Sequence, residues 1–220
     1  MQRPKYKKII NIEQITSITQ LLAILEDLTP ILDQTDLSNL SSFNDAYIVI
    51  TQSYIDALKT NWFKDPVTVE KLSIIFARYY LNMLNRYAAG LATPIVWRKA
   101  YESSGKPRPK YLSLLIAANA HINHDLPLSL RQAGLGNAAR VDFYKSDKLF
   151  RQSAKEVILS FSEPNEHLNF LKRRLRPLYS QPFISVVLHY RHSAWRKSLD
   201  TNTTQQDLTN KTLKIAKFLR

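Results

Sequence analysis

One short segment of the sequence combines residue types that could do chemistry. Residues 119–128 read NAHINHDLPL and place two histidines and an aspartate within a run of helical, mainly apolar periodicity. On an α-helix, His121 and Asp125 are separated by one turn, so both side chains can reach a single atom. A carboxylate near a core face is costly unless it is paired, hydrogen-bonded or bound to a metal. The spacing therefore predicts a site for a metal ion or for acid–base catalysis.

The same two residues also allow a purely structural interpretation. Asp125 could form a salt bridge with a buried arginine or cap a neighbouring helix, and His121 alone would be typical of a hydrogen-bonded core histidine. On a helical wheel at about 100° per residue, Asp125 and His121 lie within the apolar face or at its edge, whereas His124 lies opposite. We therefore expect His121 and Asp125 to face one internal cavity and His124 to face solvent, outside the site.

A second helix, predicted to begin at Pro182, carries Arg191 on its apolar face. A guanidinium among aliphatic and aromatic neighbours needs an anionic partner, which could be Asp125, another acid or a bound ligand. We expect its side chain to reach a cavity that contains Asp125 or Asp142. His189 and His192 have a spacing that resembles a metal pair, but they lie outside the apolar face or on its border, which argues against a buried metal.

Further polar residues could line the same cavity of a helical bundle. The long helix after Asp65 is apolar nearly all round, with Glu70 and Arg78 among its exceptions. Bundle cores commonly build ligand and metal sites from facing helices. Mixed nitrogen and oxygen ligands suit a divalent ion such as zinc, manganese or iron. The predicted catalytic residues are His121 and Asp125; the predicted metal ligands are His121, Asp125, Asp142 and Glu70; the predicted substrate-binding residues are Asn119, Arg78, Arg191 and Trp97.

The elements that position these residues are predicted to be helices throughout. Four glycines in 220 residues are too few for a chain of tight β-turns, and the apolar residues recur at helical spacing. We expect an all-α, single-domain bundle of about eight or nine helices over residues 1–220, with a flexible basic segment at 1–10 and a peripheral helix at 200–220. The predicted helices cover residues 12–28, 44–59, 66–89, a short stretch after Pro94, 111–126, 141–161, 165–175, 182–199 and 204–219.

Composition restricts the class of protein and its partners. The chain has no cysteine, no signal peptide and no apolar run of about 20 residues, so we expect a soluble, cytoplasmic protein. The formal net charge is +13, and residues 141–220 carry 15 Lys and Arg against 7 Asp and Glu. This excess favours anionic partners, although a solubilising surface also explains it. The segment LKRRLRPLY, residues 171–179, is a compact basic patch beside an aromatic residue.

The central segment resembles the hallmark of an uncharacterised bacterial family, which reads Asn-Ala-His-Ile-Asn-x-Asp-Leu. The resemblance extends over most of residues 60–200 and implies a helical domain with no established reaction. The other matching segments are VEKLSIIFARYY with Glu70, Arg78 and Tyr79, VWRKAY with Trp97, RVDF with Arg140 and Asp142, and YRHSAW with Arg191 and Trp195.

A more distant likeness is to helical zinc-dependent phospholipase C, whose metal-binding helix carries His-x-x-x-Asp followed by Pro-Leu-His. Here His121 and Asp125 match that spacing, and Pro127 and Leu128 follow. Ser129 stands where the terminal histidine of that motif would be, and the proline spacing is shorter. The likeness implies a metal-binding helix, and these are the positions at which the segment departs from that motif.

The sequence supports three functional hypotheses of different classes. The leading one is a small-molecule enzyme, a metal-dependent or acid–base hydrolase that acts on an anionic substrate in an internal cavity. The alternative is a non-catalytic binding module whose basic C-terminal third meets nucleic acid or an acidic protein. The third is a helical scaffold in which the histidine, aspartate and arginine network is purely structural.

Overall fold

The computed structural model describes residues 3–107, 109–160 and 166–219, except for the side chains of residues 159–160, 166–181 and 183. Within these ranges there is no β-strand, which confirms the predicted all-α class. Eight of the described helices have ten or more residues. The helices are α1 (Ile18–Gln34), α2 (Ser41–Lys59), α3 (Pro66–Ala88), α4 (Ile95–Ser104), α5 (Lys110–Ala120), α6 (Leu126–Gln132), α7 (Arg140–Lys145), α8 (Asp147–Ser160), α9 (Glu166–Leu199) and α10 (Gln205–Lys217).

The ends of the first and third helices follow from local capping. Ser17 and Gln20 form a capping box, so α1 begins at Ile18 and not at residue 12 as predicted. Pro30 lies inside α1, and the prediction that the helix ends before it is wrong. The predicted start of α3 is confirmed, because the Asp65 side chain accepts a hydrogen bond from the Thr68 backbone amide.

Residues 3–11, which we call the N-terminal segment, lie outside any helix and are held against the bundle. Tyr6 and Ile10 are buried in the main core. The Tyr6 amide donates to the Asp36 carboxylate at 2.8 Å, and the Ile10 amide donates to Asn85 Oδ1 at 2.7 Å. Side chains from α3 and from the turn after α1 therefore satisfy backbone amides of residues 3–11, which have no regular secondary structure.

Between α5 and α6 the helix does not stop but widens. Residues His121–Asp125 form a π-helical turn, which we call the π segment, and the Leu126 amide donates to the His121 carbonyl five residues back. Pro127 follows immediately and has no amide hydrogen, and its ring would displace the carbonyl four residues before it in a regular α-helix. The wider turn accommodates that ring. The helical path continues to Gln132, and Pro127 does not end it.

The C-terminal half departs from the prediction in two places. The predicted helix at 141–161 is divided at Ser146 into α7 and α8, with Phe161 outside the described residues. The two helices predicted at 165–175 and 182–199 are one continuous helix, α9, which passes through Pro182. A proline removes one backbone hydrogen bond but does not by itself end a helix whose other bonds are intact.

The π segment lies at the junction of the core clusters. The largest cluster gathers apolar side chains of the N-terminal segment and α1 to α5, including the fully buried Tyr80 and Trp97. A second cluster joins α6 to α7 and α9 through Leu130, Phe143 and Trp195. Helices α3, α9 and α10 pack against the π segment, in which His121, Asn123, His124 and Asp125 are buried. Among the described helices, none is both long and apolar enough to cross a lipid bilayer.

Candidate functional site

Asp125 is the centre of the hydrogen-bonding network in the π segment. Its Oδ2 lies 2.9 Å from Trp97 Nε1 and 3.1 Å from His121 Nδ1, and its Oδ1 lies 2.8 Å from His124 Nδ1. Only 1% of Asp125 is exposed. Because an ionised carboxylate can only accept hydrogen bonds, both histidines carry their proton on Nδ1. The Ser129 hydroxyl, one helical turn later, donates to the Asp125 backbone carbonyl at 2.9 Å.

The predicted pairing of His121 with Asp125 is confirmed, but the prediction that His124 faces solvent is wrong. His124 is 3% exposed and contacts the Asp125 carboxylate directly. The error has two physical causes. A π turn advances fewer degrees per residue than the 100° used for the wheel, so residues after His121 are rotated relative to the predicted faces. In addition, α9 and α10 cover the side of this helix that the wheel assigned to water.

Burial and hydrogen bonding act in opposite directions on the ionisation of this network. Burial opposes the charge on Asp125, but the hydrogen bonds from His121 and His124 outweigh it and hold the Asp125 pKa below its usual value. Burial lowers the pKa of His121, against the smaller raising effect of Asp125. At neutral pH the network therefore contains an aspartate anion and a neutral His121.

His121 is enclosed by aromatic rings. It stacks on Phe76 with ring centroids 3.6 Å apart and an interplanar angle of 7°, and its centroid lies 5.3 Å from that of Tyr47. Phe43, Tyr80 and Trp97 complete the enclosure at 5.8–6.2 Å. Its Nε2 atom is buried and has no hydrogen-bond partner among the described residues, and the same is true of His124 Nε2. An imidazole with Nδ1 on a carboxylate and Nε2 unpaired has the arrangement of a general base.

A cleft lies on the other side of Phe76 and Tyr47. It contains about 780 Å³ of empty space, a figure that includes open solvent at its mouth. Both Phe76 and Tyr47 line it, together with other apolar side chains of α1, α2 and α3. His121 and Asp125 do not line this cleft, and their shared exposure to an internal cavity stays a prediction. Two aromatic rings separate the His121 imidazole from the cleft.

Arg191 lines the cleft from α9, together with Asp142 and Ser146. Its Nε donates to Asp147 Oδ1 at 3.2 Å and its Nη2 donates to Ser146 Oγ at 2.8 Å. The expected anionic partner exists, and it is Asp147. His192 Nε2 contacts the second oxygen of the same carboxylate at 2.5 Å. Arg191 Nη1 has no hydrogen-bond acceptor within the part of the chain that the structure describes.

The carboxylates of the remaining predicted metal ligands, Glu70 and Asp142, accept hydrogen bonds from backbone amides. The Glu70 carboxylate accepts from the Ile18 amide at 3.0 Å. The two oxygens of Asp142 accept from the Lys64 and Asp65 amides at 2.9 and 2.7 Å, ahead of the first turn of α3. Among the described side chains, no group of three or more His, Asp or Glu residues is placed to hold a metal ion. The predicted set of four ligands is therefore not assembled, and metal binding stays a prediction.

Three predicted substrate-binding residues also lie outside the cleft. Arg78 donates to the Ile15 carbonyl at 2.9 Å and fixes the segment before α1. Asn119 donates to the Thr212 carbonyl at 2.9 Å and ties α5 to α10. Trp97 is completely buried and serves as a donor to Asp125. Arg191 is the predicted substrate-binding residue that the structure places at the cleft.

Several residues of the site were not predicted from the sequence. Asp147 and Ser146 hold Arg191, and Phe76 and Tyr47 separate His121 from the cleft. The break between α7 and α8 at Ser146 is the feature that brings Asp147 to α9, and an Asp after a Ser is a recognisable helix start. No local pattern marks Phe76 and Tyr47 among the other aromatic residues of their helices. The side chains of the basic segment at 171–179 lie outside the described residues.

A family described as "Family of unknown function (DUF5995)" matches residues 18–217. The chain belongs to this family. The match covers every α-helix described above, including the π segment and the residues around the cleft. Membership in DUF5995 is in accord with the resemblance to an uncharacterised family and assigns no reaction. No curated protein and no solved structure matches the chain. The likeness to zinc-dependent phospholipase C remains a prediction.

Proposed function

We propose that this protein is a small-molecule enzyme of the acid–base type, which binds a ligand with an apolar body and an anionic group in the cleft. One observation carries the proposal: a neutral histidine, held by an ionised aspartate and with Nε2 unpaired among the described residues, lies directly behind the wall of an apolar cleft that also contains Arg191. Binding and catalysis rest on different residues, so they can be tested separately. The absence of cysteine supports a cytoplasmic location as part of the same proposal.

The lining of the cleft determines the class of ligand. Most of the wall is aliphatic or aromatic, with Leu72, Phe76 and Phe143 as examples, and it would bury an apolar body. Arg191 contributes a guanidinium whose Nη1 has no acceptor in the described part of the chain. A carboxylate, sulfonate or phosphate on the ligand would complete the hydrogen bonding of this group.

Two acids that line the same cleft do not oppose an anion strongly. Asp142 accepts two backbone amides at the start of α3, which compensate its charge. Asp65 caps the same helix, and hydrogen bonds from the Thr68 side chain and then from the Thr68 backbone amide lower the Asp65 pKa. Both carboxylates therefore have donors of their own, whereas Arg191 Nη1 lacks an acceptor.

The chemistry that the centre supports is proton transfer. A neutral His121 with its proton on Nδ1 can accept a second proton at Nε2, and the Asp125 anion would stabilise the resulting imidazolium. Phe76 covers the ring, so a reacting group reaches Nε2 only if Phe76 or Tyr47 changes its rotamer. Such a base would remove a proton from a water molecule that attacks an ester or amide carbonyl. As the C–O or C–N bond of the resulting tetrahedral intermediate breaks, the protonated His121 would return the proton to the leaving alcohol or amine, which leaves a carboxylic acid and the neutral histidine. This arrangement excludes bulk water from His121 until a ligand enters.

Binding is tested with 1-anilinonaphthalene-8-sulfonate as a fluorescent probe, displaced by decanoate or by decanol. We expect decanoate to displace the probe at roughly tenfold lower concentration than decanol, because a charge-assisted hydrogen bond contributes about 1.5–3 kcal/mol. Arg191→Gln should remove that difference, and the exposed Arg151→Gln should retain it. Equal displacement by the two compounds in the wild-type protein would exclude the anionic requirement, and no displacement by either would exclude the ligand class.

Catalysis is tested by hydrolysis of the mono-p-nitrophenyl ester of decanedioic acid, which has an apolar body and keeps one free carboxylate for Arg191. We expect His121→Gln to lower the rate about a hundredfold or more, as for other general bases, while the exposed His189→Gln has little effect. Phe76→Leu, which shortens the wall, should leave activity in place or raise it. If the wild-type protein binds decanoate but His121→Gln hydrolyses the ester as fast as wild type, the binding proposal stands and the catalytic role of His121 is wrong.

A further inference from the structure

A separate group of cationic side chains lies near the C-terminal end of α9, where Lys211 of α10 reaches Ser193. Lys211 of α10 donates to Ser193 Oγ of α9 at 2.8 Å, and its Nζ lies 5.6 Å from the centre of the Tyr190 ring. Arg196 and Lys197 follow Ser193 by three and four residues on α9, so their side chains project from the face of α9 that Lys211 contacts. Their positive charges repel that of Lys211. Three side chains of the same charge thus converge on one place, although each belongs to a flexible residue type that could extend into water.

The local environment does not neutralise these charges. Burial, followed by repulsion from Lys197 and Arg196, lowers the pKa of Lys211 to about 8. Burial also lowers the pKa of Lys197, against the opposing attraction of Asp207. The Asp207 carboxylate already accepts from the amide and hydroxyl of Thr204, at 2.9 and 2.6 Å. Lys211 has no carboxylate partner within the described part of the structure.

The remaining polar atoms at this place are hydrogen-bond donors. The Ser193 hydroxyl accepts from Lys211, so its own hydrogen is available, and Ser193 is only 8% exposed. Each amine has further hydrogens to donate, and Arg196 adds an exposed guanidinium. The group therefore offers several donors and a positive charge to one ligand, and it offers almost no acceptor.

We propose that Arg196, Lys197, Lys211 and Ser193 form a binding site for the phosphate group of a small phosphorylated molecule. A phosphate monoester carries close to two negative charges at neutral pH and three acceptor oxygens, which matches this set of donors in charge and in number. Binding removes the repulsion between the two lysines. This site is distinct from the cleft, because none of its residues lines that cleft.

The test is calorimetric titration of the full chain with glycerol 3-phosphate at pH 7.5, at an ionic strength held constant with sodium chloride. We expect binding by the wild-type protein and a loss of about tenfold or more in affinity for Lys211→Gln. Lys217→Gln is the matched control, since it removes the same charge from an exposed position of the same helix, and it should bind like wild type. An equal loss in both variants would show general charge attraction and would overturn the site.

A second measurement does not depend on a variant. The ¹³Cε resonance of Lys211, followed by NMR as a function of pH, should titrate near pH 8 without ligand. Glycerol 3-phosphate should raise that midpoint, because a bound dianion stabilises the ammonium form. A midpoint that does not move at saturating ligand would overturn the proposal.

Anionic lipid vesicles and a short single-stranded oligonucleotide distinguish the source of the phosphate. Competition of either with glycerol 3-phosphate at Lys211 would be consistent with shared phosphate chemistry at this site. Binding of vesicles or oligonucleotide with no detectable binding of glycerol 3-phosphate at about 1 mM would instead assign this surface to a macromolecule and overturn the proposal.

Discussion

Replacing Asp125 with alanine should destabilise the protein more than any replacement of an exposed acid. Asp125 is the shared acceptor for Trp97 Nε1, His121 Nδ1 and His124 Nδ1, at distances between 2.8 and 3.1 Å. Its removal leaves three buried donors without that acceptor. Each unsatisfied buried donor costs about 1–3 kcal/mol. Part of this cost is offset, because the variant no longer has to bury a carboxylate. We therefore expect the free energy of unfolding to fall by about 3–5 kcal/mol.

Asp125→Asn separates the loss of charge from the loss of shape. The amide retains one acceptor oxygen, and a histidine that moves its proton to Nε2 can accept from the new NH₂ group at Nδ1. The Trp97 indole can only donate and requires the remaining oxygen. We therefore expect Asp125→Asn to cost about 1–3 kcal/mol, less than alanine.

The assay is urea unfolding at pH 7.5, followed by circular dichroism at 222 nm, with Glu102→Ala as the control. Glu102 forms an exposed pair with Arg98 at 3.9 Å, and its loss should change stability by no more than about 0.5 kcal/mol. A loss below about 1 kcal/mol for Asp125→Ala would refute the reasoning. An Asp125→Ala protein more stable than wild type would indicate that the aspartate is retained for function at the expense of stability.

Three further predictions follow from the same structure. His124→Ala should lower the free energy of unfolding in urea by about 2–4 kcal/mol, because it removes a buried, hydrogen-bonded ring. His189→Ala, at an exposed position, should change it by no more than about 0.5 kcal/mol. Similar values for the two variants would contradict the placement of His124. Because the pKa of His121 is lowered on folding, the unfolded chain binds its proton first as the pH falls. The contribution of His121 to the free energy of unfolding should therefore be fully present above about pH 6.5 and should decline below that pH by up to about 1.4 kcal/mol per pH unit. His121→Gln should make this decline less steep. Asp142→Ala should cost about 1–3 kcal/mol, because the amide of Asp65 and its neighbour lose their acceptor, whereas a neutral result would contradict its role as a cap.

Local sequence determined much of the secondary structure. The Asp65 cap and the proline after it predicted the start of α3, and helical periodicity with few glycines predicted the all-α class. The spacing of His121 and Asp125 predicted a contact that the structure contains. These features depend on residues within about one helical turn of each other, so their physics is visible in the sequence alone.

Only the tertiary structure decided which polar groups meet and which faces are covered. Asp125 is held by Trp97, 28 positions earlier, and Arg191 by Asp147, 44 positions earlier. His124 is buried because other helices cover it and because the π turn before Pro127 rotates it away from its predicted face. A helical wheel assumes one regular helix with a single solvent side. A central helix has no such side, and the partner of each polar group is set by the packing of helices that are distant in the chain.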